Sequence, residues 1–156
     1  MVRRCRQSGS SRAHTRGVPD SYSVIDRHPT VAEHQVLTAA VGWSDHFDDQ
    51  TVPRSLDASL FGVVVTDAAG TVVGMGRLVG DGVHYFYVQD VVVHPGHESA
   101  GLGTRIIERL LSWTEQTGGP SAFIGLFASD EAVSLYSDHG FTTAGMTGMH
   151  HPAHLD

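Results

Sequence analysis

The chain has 156 residues, the length of one ordinary domain, which leaves no room for a second large one. Its formal net charge is −7, it contains no lysine, and all 17 acidic residues lie after residue 16. This acidic balance argues against a nucleic-acid partner, and no apolar run approaches the roughly 20 residues that a membrane span requires.

Residues 1–19 are rich in serine, arginine and glycine and contain almost no apolar side chains. Such a segment cannot offset the entropy lost on ordering, so we predict a disordered basic tail, followed by one domain over residues 20–156. The alternative is a basic arm that contacts a partner. No hydrophobic stretch follows Arg3 and Arg4, so a secretion signal is not expected. Cys5 is the only cysteine, which excludes an intramolecular disulfide and favours a reducing, cytoplasmic location.

The first predicted elements after the tail are short. Residues 22–25 alternate as in a strand. A helix is predicted after Pro29 and Thr30, because the apolar residues that follow suit a helix and are Val31, Val36, Leu37, Ala40 and Val41. Gly42 ends this helix. A second short helix is predicted from Pro53 to Leu60, where proline occupies a first-turn position.

The middle of the chain is a run of predicted strands. Residues 61–66 and 71–79 are rich in β-branched side chains and are joined by a turn sequence, which predicts a hairpin. Residues 83–94 form a longer strand of nearly continuous apolar character, as expected when both of its faces are covered. Apolar spacing then predicts a helix over residues 101–117, a strand at 122–127 and a helix at 130–139. A final strand or pair of strands is predicted from residue 141.

Two motifs in the second half of the chain carry a family resemblance. The first opens a helix directly after the long strand and has the sequence Glu98-Ser99-Ala100-Gly101-Leu102-Gly103-Thr104. The second is a short helix that contains Leu135-Tyr136 and ends at Gly140-Phe141. Their order and spacing resemble the GNAT superfamily of N-acetyltransferases, and the resemblance covers about residues 61–141.

The resemblance implies an α/β (α+β) fold with a mixed, largely antiparallel sheet flanked by helices. It also implies acetyl transfer from acetyl-coenzyme A to an amine. In this family, loop amides wrap the coenzyme pyrophosphate at a helix N-terminus, where unpaired N–H groups and the helix dipole attract anions. The loop residues so assigned are Glu98, Ser99, Ala100, Gly101, Gly103 and Thr104.

Three further residues are assigned to the coenzyme by the same resemblance. Val91 and Val93 would hold the pantetheine arm through their backbone, and Ser129 lies where many members contact that arm. Glu98 stands where the family usually has glutamine or arginine. Its carboxylate would therefore turn outward to solvent or weaken the hold of the loop on the coenzyme.

Asp90 is the candidate general base, because it interrupts the apolar strand near the expected thioester and burial would raise its pKa. The alternative is a structural aspartate bonded to backbone amides. Strand alternation allows only one of Gln89 and Asp90 to face the acceptor. Gln89, Tyr85 and Tyr87 share a face and are assigned to the substrate, although cross-strand packing explains the tyrosines equally well.

Tyr136 is the second catalytic candidate, since the resemblance implies that its hydroxyl protonates the departing coenzyme A thiolate. The alternative is a core tyrosine with a satisfied hydroxyl. Direct transfer is predicted, because Cys5 lies in the tail. No metal site is expected, because no carboxylate or cysteine completes a spaced set with the C-terminal histidines His150, His151 and His154.

The acidic domain favours a small cationic amine as the acceptor. A protein N-terminus or lysine is the alternative acceptor. From another class, the rival is a non-catalytic acyl-coenzyme A sensor or partner-binding module on the same fold, suggested by the departures at Glu98 and Ser99. A homodimer is compatible with the sequence.

Overall fold

A computed structural model of the chain describes residues 21–154. The predicted tail, residues 1–19, lies outside the described residues. The strands are β1 (Ser23–Asp26), β2 (Phe61–Thr66), β3 (Val72–Gly80), β4 (Tyr85–Val93) and β5 (Phe123–Gly125). The helices are α1 (Val31–Ala40), α2 (Val52–Asp57), α3 (Leu102–Thr117) and α4 (Val133–Ser137), with short 3-10 helices at Ser44–His46, Pro95–Ala100 and Asp130–Ala132. None of the helices within residues 21–154 has the length and apolar character needed to cross a membrane.

The five strands form one mixed sheet in the order β1-β2-β3-β4-β5. The first three pairings are antiparallel, and β4 pairs with β5 in parallel. Asp81 turns the chain from β3 into β4, because its carboxylate accepts the main-chain N–H groups of Tyr85, Val83 and His84 at 2.9 Å each. These hydrogen bonds lower the pKa of Asp81 to about 2. The predicted fold class is confirmed.

Helices cover both faces of the sheet. On one face, α3 buries Leu102, Ile106 and Leu110 against residues of the three central strands, namely Val63, Val65, Val73, Leu78, Phe86 and Val88. On the other face, Leu37 of α1 packs with Val64, Met75 and Val92. This two-sided burial explains the nearly continuous apolar sequence of the central strands.

Helix α1 begins with a capping box that fixes its first turn. The side chain of Thr30 accepts the N–H of Glu33 at 3.2 Å, and the Glu33 carboxylate accepts the N–H of Thr30 at 2.8 Å. Arg27 donates two further hydrogen bonds to this carboxylate, at 2.7 and 2.8 Å. One residue later in the same turn, His34 is buried and contacts β4. The cap therefore sets where His34 meets the sheet.

Strand β4 contains a β-bulge at Asp90. At this point β3 has one residue, Gly76, where β4 has two, Asp90 and Val91. Asp90 has a φ of 51°, the only positive φ at a non-glycine position within residues 21–154. Aspartate tolerates this left-handed region better than most side chains do.

The extra residue reverses the side-chain alternation of β4. Val88 faces α3 before the bulge, and Val91 faces α3 after it. Gln89 and Asp90 consequently lie together on the opposite face, where both line one cavity. The sequence analysis assumed an unbroken strand, in which these two side chains would point to opposite faces, and the bulge removes that alternation.

The C-terminal part of the chain has less regular structure than predicted. Strand β5 has three residues instead of the six at 122–127, and the N–H of Phe127 donates to the Tyr87 hydroxyl at 3.1 Å rather than extending the ladder. Residues 141–154 contain no strand, so the predicted final strand is wrong. Gly140 and Gly145 have φ values of 85° and 78°, which interrupt an extended run.

Gly76 allows α3 to pack directly on the bulge. A Cβ at this position would lie 2.5 Å from Cγ2 of Ile106, a fully buried side chain. We expect Gly76→Ala to lower the free energy of unfolding by about 1–3 kcal/mol, because it overpacks the core. Urea denaturation measures this loss.

Gly119→Ala is the matched control, because a Cβ there meets its nearest neighbouring atom at an ordinary 3.5 Å. We expect this variant to change the free energy of unfolding by less than about 0.5 kcal/mol. Equal losses in the two variants would contradict the packing role of Gly76.

Candidate active site

The carboxylate of Asp90 is the centre of a buried polar cluster. Its Oδ2 atom accepts hydrogen bonds from Nε of Arg77 at 2.7 Å and from Nε2 of His34 at 3.1 Å. Its Oδ1 atom accepts one from Nε2 of Gln89 at 2.7 Å. The Asp90 side chain has no exposed area, and the His34 and Arg77 side chains are 2% and 7% exposed. Three donors therefore satisfy one carboxylate that water does not reach.

These contacts set the protonation state of Asp90. Burial alone would raise its pKa, but the hydrogen bond from His34 and the charge of Arg77 outweigh burial. The pKa of Asp90 consequently lies below its usual range. The prediction that burial raises this pKa toward that of a general base is wrong. The alternative of backbone amides as its partners is also wrong, since the donors are side chains.

Arg77 connects the bulge to helix α2. Its Nη1 atom donates to the carbonyl of Ser55 at 3.1 Å and to the hydroxyl of Ser59 at 3.0 Å. Its Nη2 atom donates to the Ser55 hydroxyl at 3.3 Å. One guanidinium therefore ties the backbone of α2, the loop after it and the bulge of β4 into a single network.

His34, a residue of helix α1, also contacts the Asp90 carboxylate. A carboxylate only accepts hydrogen bonds, so the proton in this contact lies on Nε2 of His34. The Nδ1 atom is buried and has no hydrogen-bond partner within residues 21–154. The imidazole also packs edge-on against Phe47, with 4.7 Å between the ring centroids. Phe47 in turn lines the cavity that lies over the bulge.

This cavity has a volume of about 170 Å³ and is lined by Trp43, His46, Phe47, Gln89 and Asp90. The first three belong to the segment between α1 and α2, and the other two belong to β4. Asp90 as a whole residue is 4% exposed, whereas its side chain has no exposed area. The bulge therefore presents main-chain atoms of Asp90 to the cavity, and the carboxylate stays behind them.

The tyrosines assigned from the sequence lie outside this cavity. Tyr85 is 66% exposed, at the start of β4. Tyr87 holds β5 beside β4, because its hydroxyl accepts the N–H of Phe127. Tyr136 is buried and packs edge-on against Phe141, with 5.8 Å between the ring centroids. Burial, with a smaller contribution from Tyr87, raises the pKa of Tyr136. Of the three residues assigned to the substrate, only Gln89 lies in the cavity.

The loop assigned to the pyrophosphate is a 3-10 helix that leads into α3. Glu98 and Ser99 are exposed on it, whereas Ala100 packs against the core. Gly101 follows with a φ of 70° and occupies the N-cap of α3 without a side-chain hydrogen bond to the first turn. Gly103 lies in that turn, and a Cβ there would meet Leu135 of α4 at 3.1 Å. Thr104 is half-buried beside it.

The remaining coenzyme candidates lie along and beyond β4. The side chains of Val91 and Val93 pack into the core beneath α3, which leaves only their backbone for a ligand. The ladder between β4 and β5 ends at the pair Tyr87 and Gly125. Ser129 is exposed and precedes the 3-10 helix that leads to α4, with no side-chain hydrogen bond to that helix.

These features fit the coenzyme that the resemblance implies. The first N–H groups of α3 have no side-chain cap, so they suit an anion such as pyrophosphate. Past Tyr87, the β5 side of strand β4 has no strand partner within residues 21–154. An extended ligand can pair with such an edge. A group of three histidine, cysteine or acidic side chains able to hold a metal ion is not found in this part of the chain.

Sequence reasoning missed five residues of the cluster and the cavity, which are His34, Trp43, His46, Phe47 and Arg77. Arg77 is a charged residue within an apolar strand, and this signal could have paired it with Asp90. His34 lies on a helix of weak amphipathic pattern. The segment between α1 and α2 has no periodicity that marks a functional side chain.

Asp90→Asn tests the buried ion pair while keeping a side chain that tolerates the left-handed backbone. It leaves the charge of Arg77 buried without its counter-ion, so we expect the free energy of unfolding to fall by about 3–5 kcal/mol at pH 7. Urea denaturation measures this loss. A loss below about 0.5 kcal/mol would contradict the assigned role.

Two controls accompany this variant. Replacing both partners, with Arg77→Met added to Asp90→Asn, should recover part of the loss, because no unpaired charge then remains. The lowered pKa of Asp90 also sets a pH dependence. Ionised Asp90 stabilises the fold fully above its unfolded pKa of about 3.9, and the gain is lost as pH falls through the lower folded pKa. The difference in the free energy of unfolding between wild type and Asp90→Asn should therefore become smaller only at acidic pH.

Comparison with known proteins agrees with the sequence motifs and the fold. Residues 28–141 match the model of the acetyltransferase (GNAT) family. The chain is 28% identical over 134 residues to the uncharacterized N-acetyltransferase ycf52 of Pyropia yezoensis, which covers 83% of this chain and 76% of that relative. It is 28% identical over 121 residues to the L-methionine sulfoximine/L-methionine sulfone acetyltransferase of Salmonella typhimurium, covering 72% and 71%.

A probable acetyltransferase of unknown function from meticillin-resistant Staphylococcus aureus has a similar structure. Its TM-score is 0.76 at 26% sequence identity, over 84% of this chain and 98% of that chain. The similarity therefore extends over nearly all of the described elements and over both motifs. The chain belongs to the GNAT family of acetyltransferases and is an acyltransferase.

Proposed function

We propose that this enzyme transfers the acetyl group of acetyl-coenzyme A directly to the primary amine of a small cationic molecule. The observation that carries the proposal is the cavity over the β4 bulge. It lies near the point where the unpaired edge of β4 begins, and its floor is the main chain of Asp90. An acyl donor along that edge and an acceptor in the cavity would therefore meet at the bulge.

The coenzyme would be held by two sets of backbone groups. The pyrophosphate would lie on the first turn of α3, at Gly101, Gly103 and Thr104. The pantetheine arm would pair with the edge of β4 at Val91 and Val93. When bound, the coenzyme supplies an activated acetyl thioester. The exposed carboxylate of Glu98 opposes this binding through its charge and stays in solvent.

The cavity supports a small acceptor. Its volume of about 170 Å³ is below that of typical drug-sized pockets. Trp43 and Phe47 form aromatic walls, which suit an apolar body or the face-on approach of a cation. The net charge of −7 attracts cationic molecules over a longer range. The Salmonella relative is named as an acetyltransferase of L-methionine sulfoximine and L-methionine sulfone, which is in keeping with a small acceptor.

The proposal is tested by following release of the coenzyme A thiol while acetyl-coenzyme A is offered with a panel of amines. The panel contains an arylalkylamine, a polyamine, an amino acid and a peptide with a free N-terminus. We expect turnover with a small amine and none with the peptide. Turnover of the peptide alone would favour a protein N-acetyltransferase. Calorimetric binding of acetyl-coenzyme A without turnover of any amine would favour the sensor.

Tyr136 is proposed to protonate the departing thiolate. Burial keeps its phenol protonated, because it raises the pKa further above neutrality. We expect Tyr136→Phe to lower kcat by about 10²-fold, the lower end of general acid catalysis, with little change in acetyl-coenzyme A affinity.

The control for this variant is its stability. Phenylalanine keeps the ring and its contact with Phe141, so the melting temperature should stay nearly unchanged. An unchanged kcat together with a loss of about 1–3 kcal/mol in the free energy of unfolding would show instead that the hydroxyl makes a structural hydrogen bond.

A further inference from the structure

A primary amine must lose a proton before it can attack a thioester. With a lysine-like pKa near 10.4, roughly one molecule in 2,500 is neutral at pH 7. A base that lines the acceptor cavity would remove this proton within the complex. The proposed function therefore requires a proton acceptor beside the bulge.

Among residues 21–154, two of the side chains that line the cavity are titratable, those of Asp90 and His46. The Asp90 carboxylate has no exposed area, and three side-chain donors already occupy its oxygens. Asp90 exposes only main-chain atoms to the cavity. An amine in the cavity cannot reach the carboxylate without breaking the network that holds the bulge.

His46 has the opposite surroundings. It ends the short 3-10 helix Ser44–His46, where its N–H donates to the carbonyl of Trp43 at 3.0 Å. Its side chain is exposed and lines the cavity from the segment between α1 and α2, across from the bulge. Trp43 and Phe47 lie beside it as apolar walls. Histidine is also the side chain whose charge changes most readily near neutral pH.

We propose that His46 is the general base of the reaction, an inference that rests on the proposed acetyl transfer. A proton leaves the acceptor nitrogen for an unprotonated imidazole nitrogen of His46. The freed electron pair then forms the C–N bond as the C–S bond breaks. The nitrogen loses its second proton as the amide forms, and the thiolate takes up one proton, so the products are the amide and the coenzyme A thiol. The imidazolium returns its proton to solvent, which its exposure permits.

Several charged groups surround this base. On its own segment the neighbour is Asp45, which is exposed. From β4 the neighbour is Asp90, whose charge is paired with Arg77 of β3. From α1 it is His34, which lies behind Phe47. The charge of the bulge is therefore compensated inside the fold. In the part of the chain that the structure describes, His46 is the one titratable side chain of the cavity lining that is open to an acceptor.

The test compares His46→Gln with wild type across pH, using whichever amine the panel identifies. At pH 7 we expect kcat to fall by about 10²-fold, the usual contribution of a positioned base. Near pH 9.5 the defect should shrink to within about tenfold, because roughly one amine molecule in nine is then neutral and needs no base. His84→Gln is the matched control, since His84 is exposed at the other end of β4 and should leave both values unchanged.

Rescue of a glycine variant by imidazole gives a second test, which does not depend on the properties of the glutamine side chain. His46→Gly should regain activity at pH 7 when imidazole is added to the solution, while His84→Gly should not respond. A defect of equal size at every pH, without rescue by imidazole, would overturn the inference and assign His46 to acceptor binding. Full activity of His46→Gln would overturn it as well. If wild type transfers acetyl to no amine, the proposed function fails first, and this inference with it.

Discussion

The ion pair between Arg77 and Asp90 is the interaction on which the site depends. Burying two charges is costly, and the cost is offset only when every donor and acceptor finds a partner. Here the guanidinium also holds the backbone of α2, and the carboxylate also holds His34 and Gln89. The network stabilises the left-handed backbone conformation of Asp90 in the middle of a strand. Regular strand pairing would not permit this conformation. The main effect of this buried salt bridge is therefore to fix the conformation of the bulge, rather than to raise the free energy of unfolding.

In the proposed reaction, donor and acceptor would meet at the bulge of β4. On the α3 side, the glycine opposite the bulge, Gly76, lets the helix pack directly on the sheet. On the α1 side, the same extra residue opens the floor of a cavity lined by aromatic side chains. The donor would be held through backbone groups, which do not depend on the identity of the side chains. The acceptor would be selected by side chains of the segment between α1 and α2, which vary without disturbing the sheet.

The sequence predicted the parts of the fold that periodicity controls. Strands β2, β3 and β4 and helix α3 carry long apolar patterns, and their bounds fall within two residues of the prediction. Asp90 was identified because a charge in an apolar strand is unusual. Its partners were not, because His34 is 56 residues away along the chain and Arg77 is 13 residues away. No local pattern encodes such contacts. The same holds for His46, whose segment is neither periodic nor apolar, and for the early end of β5, which one tyrosine hydroxyl decides.

The short parallel ladder between β4 and β5 has a further consequence. Three residue pairs and one hydrogen bond from Phe127 join the sheet to the segment that carries Tyr136. Segments with so few backbone contacts open locally at a lower free energy than the sheet itself. A donor that spans the edge of β4 and the first turn of α3 would close this opening, since binding stabilises whichever state completes its site. Tyr136, the proposed general acid, would then be held firmly only when the donor is bound. Hydrogen exchange of the backbone amides after Gly125 would therefore slow when the donor binds, even without an acceptor.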